Sequence, residues 1–578
     1  MFYINQKRFL GVYVTIMLFA GLIFFRLYTI AVSDFGQILP ALNTQHTRRL
    51  NIAERRGFIF DRYGEIIAGH GVFYATLIDP SKIGLSLELY QIPESIYSVA
   101  EILEGISTLS DTDILQRLRN GVPFVIQTHE ALNNYYSRSF RMYKRSTDNS
   151  PAALHIIGYI DRDRQGVTGI EAVYNSFLIN SGARVSAAWE ADALGRSLRG
   201  MPIIITDYGY YYYNYNERAG LTLSLDWGLQ KKVEQIADAG LNRGAIVVAC
   251  VESGEILAST SRPVFSLDNL EYYIDSDNGE FINRAFGAFT PGSIFKTVVA
   301  AAALELAPDY YREWKYYCRG YINVFGQIFR CHRRWGHGLL DMIDAYANSC
   351  NPYFIELALH LGYDIIHETA QTFGIGEFGM LDGLRVNRGN IPNLSNPPPA
   401  FVANAAIGQD ALLITPLEAT RIFAAVANGG IMPELSLVNS FTFPREQETV
   451  DLRNTNSRRV FSERTAAYMQ EMARAVVDTG TGVRAAPKHG TSAGKTSSAE
   501  SGQFREITND YGEVIREQIV HSWFAGFYPA CIEIDMIPRY AITVIAEGGL
   551  NDDVHSTEIF REIANYLGER KSYNDVTS

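Results

Sequence analysis

Three short combinations of serine, lysine and asparagine follow one another along the chain, and together they could build a nucleophilic site. A match to any one of them is common in a protein of 578 residues, so their order along the chain carries the information. They are an SxxK motif at Ser293 and Lys296, an SxN motif at Ser349 and Asn351, and a lysine-threonine-small triplet that begins at Lys495.

The SxxK motif predicts a serine nucleophile with a lysine as its base. A serine hydroxyl must lose its proton to attack an amide carbonyl. Residues three apart on a helix share a face, so Lys296 is expected to touch Ser293. Burial beside a second cation, here Lys495, would lower the pKa of Lys296. Pro291 and Gly292 precede Ser293, which predicts a helix N-terminus whose N–H groups favour developing negative charge.

The SxN motif is expected to relay protons. The Ser349 hydroxyl would bridge the lysines and pass a proton to the leaving amine, while Asn351 would hold the substrate amide and orient Lys296. The structural alternative for the same residues is a loop with local hydrogen bonds that ends at Pro352.

The third motif predicts a strand beside the nucleophile that binds substrate. Lys495 and the Thr496 hydroxyl would bind a carboxylate of the substrate. The backbone N–H of Ser498 would form the oxyanion hole together with the backbone N–H of Ser293.

Each motif taken alone is weak evidence for a catalytic site, because the chain contains other matches to two of the patterns and because Ser293 has a purely structural interpretation. Ser492 and Lys495 also satisfy SxxK, but Gly494 between them disfavours a helix. Residues 276–278 satisfy SxN with turn composition and are predicted to form a loop. Ser293 itself could be a helix N-cap followed by a surface lysine.

The N-terminus predicts one membrane-spanning helix over residues 9–32. Arg26 is the only charged residue in this stretch, and Lys7 lies just before it. A short cytoplasmic tail, 1–8, is therefore expected, with the bulk of the chain outside the cell membrane. A signal peptide cut at residues 31–33 is the alternative, which the long apolar core and Arg26 disfavour.

Size and charge limit the remaining classes of function. A chain of this length needs two or three domains, and we place a boundary at the tyrosine-rich stretch 208–215. This gives an N-terminal domain over 36–215 and a C-terminal domain over 216–571. The formal net charge is −12 without a basic stripe, which argues against nucleic-acid binding.

The C-terminal domain has the pattern of an α+β fold in which helices pack on a sheet. Short apolar runs typical of strands are separated by amphipathic helical stretches. The predicted strands are 221–225, 245–251, 522–528 and 541–546, and the predicted helices run from an Asp226 cap to Gly240, from Ser293 onwards, and from a Ser556 cap to Gly568.

These motifs resemble those of the class B penicillin-binding proteins, the monofunctional peptidoglycan transpeptidases. The resemblance implies a single transmembrane helix, an elongated mixed pedestal domain of the dimerisation type, and a transpeptidase domain like that of serine β-lactamases, with an antiparallel sheet. It extends to residues 56–64, 155–159, 169–171, 283–285, 336–338, 408–409, 415–416, 478–482 and 523–529.

The resemblance also implies an activity. Ser293 would be acylated by the D-Ala-D-Ala end of a stem peptide, D-Ala would leave, and an amine on a neighbouring strand would resolve the acyl-enzyme without any cofactor. β-Lactams would trap Ser293, and the usual partner is a membrane glycosyltransferase of the SEDS type. The alternatives are a β-lactam sensor or β-lactamase, and a catalytically weak scaffold for cell-wall proteins.

One position departs from the family pattern. The third motif normally ends in glycine, whereas here it ends in Ser497. Glycine allows a close approach of the substrate backbone, so Ser497 is expected to narrow the cleft or reshape carboxylate recognition. It is the sequence feature that favours a scaffold.

A cysteine lies inside the SxN motif. We hypothesise that Cys350 forms a reversible disulfide with Cys331, or with Cys318, that distorts this loop and switches the enzyme off. A small buried thiol is the structural alternative. The five cysteines are Cys250, Cys318, Cys331, Cys350 and Cys531.

The same region has the residue types of a zinc site. Cys318, Cys331, His332 and His337 could supply ligands, but their spacing lacks the CxxC clip of common structural sites. No metal site is therefore predicted, and His337 is expected to brace a loop.

Overall fold

The chain folds into two compact units, each assembled from separate stretches of sequence. The first comprises Met1–Arg56, His70–Arg145 and Gly182–Glu217, and the second comprises Gly57–Gly69, Ser146–Ser181 and Arg218–Ser578. The sequence placed a single boundary near residue 215, whereas two segments before it belong to the second unit. The computed structural model describes residues 6–29, 46–68, 71–83, 96–144, 152–182, 184–198, 200–208, 219–443, 448–453, 456–508, 514–530, 537–549 and 555–577.

The first unit begins with the apolar helix Gln6–Tyr28. Within it, Phe9–Tyr28 is long and apolar enough to cross a membrane, and its side chains are exposed. A helix can span lipid because all its backbone groups are bonded internally. The end of the predicted span, 30–32, and the alternative cleavage site at 31–33 lie outside the described residues, as do Cys531 and the tyrosine-rich stretch beyond residue 208.

The other described residues of the first unit form two antiparallel three-stranded sheets, two α-helices and the short 3-10 helix Pro80–Lys82. In the helix Asp111–Asn120, the Ser110 side chain caps the N-terminus and Gly121 ends the helix in the left-handed conformation. Serine at the N-cap and glycine just after the last turn are the usual residues at these positions. The sheets have the strand orders Thr47–Glu54, Arg184–Glu190, Ile204–Tyr208 and Phe124–Thr128, Gly71–Ile78, Ser137–Lys144, and the helices are Ile96–Ile106 and Asp111–Asn120.

The second unit is built around an antiparallel five-stranded sheet, which we call the central sheet, and it confirms the predicted α+β fold. Residues of Gly244–Cys250 alternate between the two faces of this sheet, with Val247 packed on one side and Val248 on the other. Because helices cover both faces, the strand is an uninterrupted apolar run. The strand order is Ile256–Arg262, Gly244–Cys250, Tyr540–Gly549, Val514–Tyr528, Ala493–Thr508.

The helices lie in two layers on the central sheet. Trp227–Gly240 and His555–Thr577 pack on one face, and Pro416–Ala427 packs on the other. Pro416–Ala427 is buried along its whole length, and a capping box between Thr415 and Glu418 closes its first turn.

Smaller sheets and further helices complete the second unit. A second five-stranded sheet has the order Thr449–Asp451, Val438–Thr442, Gly220–Leu223, Phe58–Phe60, Ile66–Ala68. Two-stranded ribbons pair Tyr316–Cys318 with Gly338–Leu340, Tyr321–Val324 with Gln327–Arg330, Met380–Leu381 with Leu384–Arg385, and Ile431–Pro433 with Ser457–Arg459. The other helices are Leu154–Ile157, Gly169–Val173, Asn175–Asn180, Leu270–Ile274, Lys296–Leu306, Pro308–Glu313, Met342–Ala347, Asn351–Leu361, Tyr363–Thr372, Pro399–Ala406 and Glu463–Asp478.

The predicted ends of the helices had different outcomes. The cap at Asp226 is confirmed, because its side chain accepts a hydrogen bond from the backbone N–H of Leu229. The predicted stop at Gly568 is wrong, since the last helix continues to Thr577. A Cβ at Gly568 would lie 2.5 Å from Tyr528 Oη, so this glycine serves close packing and not termination.

Candidate active site

The fold brings the three motifs together in the second unit. Ser293 lies in a single 3-10 turn, Gly292–Phe295, which we call the nucleophile turn. Lys296 begins the α-helix that follows, so the predicted α-helical start at Ser293 is shifted by one turn. Ser349 lies in the short connection before the helix Asn351–Leu361, and Lys495 lies on the edge strand of the central sheet.

A line of hydrogen bonds joins the nucleophile to its base. The Ser349 hydroxyl donates to Ser293 Oγ at 2.9 Å. Lys296 Nζ lies 3.2 Å from Ser349 Oγ, 2.8 Å from the Ser349 carbonyl oxygen and 2.7 Å from Asn351 Oδ1. The sequence predicted a direct Ser293–Lys296 contact, whereas here the Ser349 hydroxyl stands between the two groups.

Both lysines of the site are fully buried, which sets their protonation. Burial lowers the pKa of Lys296 to about 7, because an ammonium loses hydration in the interior. Burial also lowers the pKa of Lys495, and the charge of Lys296 lowers it further. The sequence predicted a lowered pKa for Lys296 from burial beside a second cation, and burial is the dominant cause of the lowering.

Aromatic rings provide that low-polarity environment. Lys296 Nζ lies 5.6 Å from the ring centre of Phe354, and Lys495 Nζ lies 5.6 Å from that of Tyr346. Both distances are within cation–π range. No sequence pattern indicated either ring, because their positions depend on how the helices cross.

The third motif faces the nucleophile from the edge strand. Lys495 Nζ donates to the Thr496 carbonyl oxygen at 2.8 Å, and Ser498 is exposed. The Thr496 hydroxyl lies 2.6 Å from the Thr481 hydroxyl. Thr481 belongs to the 478–482 stretch that supported the family resemblance, but the sequence alone assigned it no role in the site.

Ser497 occupies a different place from the one that the sequence suggested. Its side chain is buried between the edge strand and the nucleophile turn, where Ser497 Oγ donates to the Pro291 carbonyl oxygen and accepts from the backbone N–H of Ser293, each at 2.8 Å. The Ser293 N–H is one of the two predicted oxyanion donors. The extra hydroxyl therefore engages one of the predicted oxyanion donors.

The competing motif matches do not form sites of this kind. Ser492 Oγ donates to the Ala485 carbonyl oxygen and Lys495 is on a strand, so this pair shares no helix. Residues 276–278 form a loop, as predicted.

The cysteines gather beside the SxN motif. Cys318, Cys331 and Cys350 are buried and none of them is in a disulfide. A hydrogen bond with Cys350 lowers the pKa of the Cys331 thiol. His337 Nδ1 lies 3.5 Å from Cys331 Sγ, whereas His332 Nδ1 lies at 4.0 Å.

Comparison with known proteins identifies the fold family. Residues 244–565 match the penicillin binding protein transpeptidase domain. Stage V sporulation protein D of Bacillus subtilis is 30% identical over 389 residues, which cover 65% of this chain and 56% of that protein. The peptidoglycan D,D-transpeptidase MrdA of Acinetobacter baumannii is 28% identical over 586 residues, which cover 90% of this chain and 81% of the relative.

A solved structure supports the same assignment of the fold. The penicillin-binding protein PBP2 of Helicobacter pylori, solved in complex with MreC, superposes with a TM-score of 0.63 at 20% identity and covers 91% of this chain and 99% of its own. The domain match spans more than half of the chain and contains all three motifs. The chain therefore belongs to the penicillin-binding protein transpeptidase family and is a class B penicillin-binding protein.

Proposed function

We propose that this chain is a peptidoglycan D,D-transpeptidase that cross-links stem peptides through an acyl-enzyme on Ser293 and is inhibited by β-lactams. The observation that carries the proposal is the hydrogen-bonded line from Ser293 Oγ through Ser349 Oγ to Lys296 Nζ. A lysine with a pKa of about 7 is neutral in a substantial fraction of molecules near neutral pH and can act as a base. Relatives named peptidoglycan D,D-transpeptidase support the reaction class.

Acylation would follow from this line. When Lys296 is neutral, the two hydroxyl groups must reverse, so that Ser293 donates to Ser349 Oγ and Ser349 donates to Lys296 Nζ. Ser293 Oγ then attacks the carbonyl carbon of the penultimate D-Ala, and its proton passes through the Ser349 hydroxyl to Lys296. The backbone N–H groups of Ser293 and Ser498 stabilise the oxyanion of the tetrahedral intermediate. The C–N bond then breaks, and the proton returns through Ser349 to the leaving amine of D-Ala.

Deacylation would use the same groups in reverse. The amine of an acceptor stem peptide attacks the Ser293 ester, and Lys296 removes its proton through Ser349. Ser293 regains a proton as the new peptide bond forms. Asn351 holds the donor peptide amide, and Lys495 with Thr496 and the neighbouring Thr481 binds the terminal carboxylate of the donor.

Fluorescent penicillin tests the acyl-enzyme. The purified chain should gain the mass of one penicillin in intact-mass measurement, and Ser293→Ala should not. A D-Ala-D-Ala stem peptide with an added acceptor amine should give free D-Ala and a cross-linked product. No adduct on folded, reduced wild-type protein would overturn the proposal.

A second candidate, a scaffold with weak catalysis, is favoured by one observation. The Ser497 hydroxyl already occupies the N–H of Ser293 that an oxyanion needs. If the chain is a scaffold, it should react slowly with penicillin, and the Ser293→Ala variant should still perform its role in the cell. Loss of that role in Ser293→Ala would exclude the scaffold.

We further propose that the helix Gln6–Tyr28 anchors the chain in the cell membrane with its short N-terminus in the cytoplasm and the second unit outside. A membrane glycosyltransferase of the SEDS type is the proposed partner, since strands must be polymerised where they are cross-linked. Protease added to intact spheroplasts should cleave the second unit and spare an N-terminal tag. Protection of the second unit would contradict this orientation.

A further inference from the structure

Four side chains outside the catalytic line converge on one point of the second unit. The ligand atoms of Cys318, Cys331, His337 and Cys350 all lie within 4.8 Å of one another. A tetrahedral zinc ion with Zn–S of about 2.3 Å and Zn–N of about 2.0–2.1 Å would place sulfur and nitrogen about 3.6 Å apart. The observed distance from Cys331 Sγ to His337 Nδ1 is 3.5 Å.

Two small ribbons deliver these ligands. Cys318 ends the strand Tyr316–Cys318 and pairs directly with Gly338, so His337 arrives next to it. Cys331 follows the hairpin whose second strand is Gln327–Arg330, and its backbone N–H donates to the Gly320 carbonyl oxygen at 2.8 Å. Strand pairing therefore brings the ligands together in place of a CxxC clip, so the spacing of these residues along the sequence did not indicate a zinc site.

The burial of these groups also fits a metal. The exposed fractions of Cys318, Cys331 and Cys350 are 1%, 4% and 0%. Ribbons of two strands are marginally stable by themselves, and small elements with little core are commonly held by a structural metal. A disulfide between Cys331 and Cys350 would leave Cys318 and His337 with no function in this cluster.

We propose that Cys318, Cys331, His337 and Cys350 bind one structural zinc ion that fixes the loop of the SxN motif. Three thiolates and one imidazole close the tetrahedral shell, which is typical of a structural site and not a catalytic one. The set differs from the one suggested by sequence, because Cys350 takes the place of His332.

The ion would act on the catalytic line through the backbone. Cys350 stands between Ser349 and Asn351, so fixing its thiolate fixes the residues on either side. The Asn351 amide also donates to the carbonyl oxygen of Arg330 at 3.4 Å, and Arg330 precedes Cys331. Zinc binding does not depend on the proposed transpeptidase reaction, but its effect on acylation does.

The first test is metal content. The full-length chain, purified in detergent under reducing conditions, should contain about one zinc per chain by mass spectrometry of metals. Cys318→Ser should lower this to less than about a tenth, and the matched control Cys250→Ser should retain it. Replacement with Co²⁺ should give the intense absorption of a tetrahedral thiolate site. Absence of metal, with no uptake of added zinc, would overturn the proposal.

A second measurement needs no variant and so avoids any failure to fold. In the native chain, alkylation of Cys318, Cys331 and Cys350 should be slow and should accelerate at least tenfold after a zinc chelator is added, whereas Cys250 should be unaffected. Equal rates with and without chelator would count against zinc. A chain two mass units lighter with a Cys331–Cys350 cross-linked peptide would establish the disulfide in its place.

An acylation assay then distinguishes the zinc proposal from the transpeptidase proposal. Chelation should slow the reaction with fluorescent penicillin at least tenfold, and added zinc should restore it. A zinc-bound chain that never forms an adduct would retain the metal site and overturn the transpeptidase. Acylation that is unchanged after complete removal of zinc would refute the link to the SxN loop.

Discussion

Ser497 is the residue that distinguishes this site chemically. Its hydroxyl connects the edge strand to the nucleophile turn through Pro291 and the Ser293 N–H. That connection ties the turn to the strand, but it engages the N–H that we propose as an oxyanion donor in the transition state. An incoming oxyanion must share this N–H or displace the hydroxyl.

We predict that Ser497→Ala and Ser497→Gly acylate faster than the wild type. Removing a neutral hydrogen bond worth ~1 kcal/mol from the Ser293 N–H corresponds to about a fivefold gain in rate. Time courses with fluorescent penicillin at saturation measure it. Ser501→Ala is the control, because it removes a hydroxyl on the same strand that donates to the Ile519 carbonyl oxygen and accepts from the backbone N–H of Gln503, away from the nucleophile turn. Slower acylation in both Ser497 variants would show that the hydroxyl supports catalysis.

Lys296 makes the reaction depend on pH. Burial lowers its pKa to about 7, and only the neutral amine accepts a proton. Acylation should therefore rise from pH 6 to pH 8 and be about tenfold slower at pH 6 than on the plateau. The rate constant of penicillin acylation across this range tests it, with circular dichroism as the control for folding. A flat profile would exclude Lys296 as the titrating base.

Residue types and order sufficed to predict that Ser293, Lys296 and Lys495 come together in one site, because proton transfer restricts which side chains can serve. The sequence predicted that the Ser349 hydroxyl would bridge the two lysines, but its actual place between Ser293 and Lys296, and the contact of Thr481 with Thr496, depend on differences in distance of a few tenths of an ångström. Those distances are set by packing between segments far apart in sequence, which no linear pattern encodes.

The nucleophile turn is held by the close approach of two elements. Gly292 has a φ of +53°, and a Cβ there would lie 2.3 Å from Ser497 Oγ and 3.0 Å from the Ala499 Cβ. A glycine is therefore required by both backbone conformation and space. The sequence indicated a helix start here, but the 3-10 form of the turn follows from its contact with the edge strand.

We predict that Gly292→Ala acylates about 100-fold more slowly, because the added methyl group must push the turn away from the strand by roughly 1 Å. Gly429→Ala is a matched control, since Gly429 has a similar φ of +62° and nothing within 4 Å of its Cβ position. Both variants should lose about 1–2 kcal/mol of unfolding free energy from left-handed strain. Equal acylation in the two would mean that the turn tolerates displacement.

The second unit depends on sequence from well before the catalytic motifs. The strand Phe58–Phe60 pairs with Gly220–Leu223 in a parallel register, and the side chain of Glu234 accepts from the backbone N–H of Ala153. The sequence assigned Phe58–Phe60 and Ala153 to the N-terminal domain, because both precede the boundary placed at residues 208–215. Long-range pairing decides which hydrophobic core a segment joins. A single boundary near residue 215 therefore does not describe the second unit, which includes two earlier segments of the chain.

We therefore predict that a fragment of residues 216–578 does not fold as an active transpeptidase domain. It lacks Ile59, Ile156 and Leu178, which are at most 1% exposed in the core of the second unit. Losing each large apolar side chain from a core costs about 2–5 kcal/mol, and a domain has only about 5–15 kcal/mol of stability. The fragment should show no cooperative thermal transition and no penicillin adduct, whereas residues 46–578 should show both.

A point variant provides the control. Ile59→Ala in residues 46–578 should lower the transition temperature without abolishing the adduct. A fragment that melts and acylates like residues 46–578 would mean that the segments before residue 216 are dispensable.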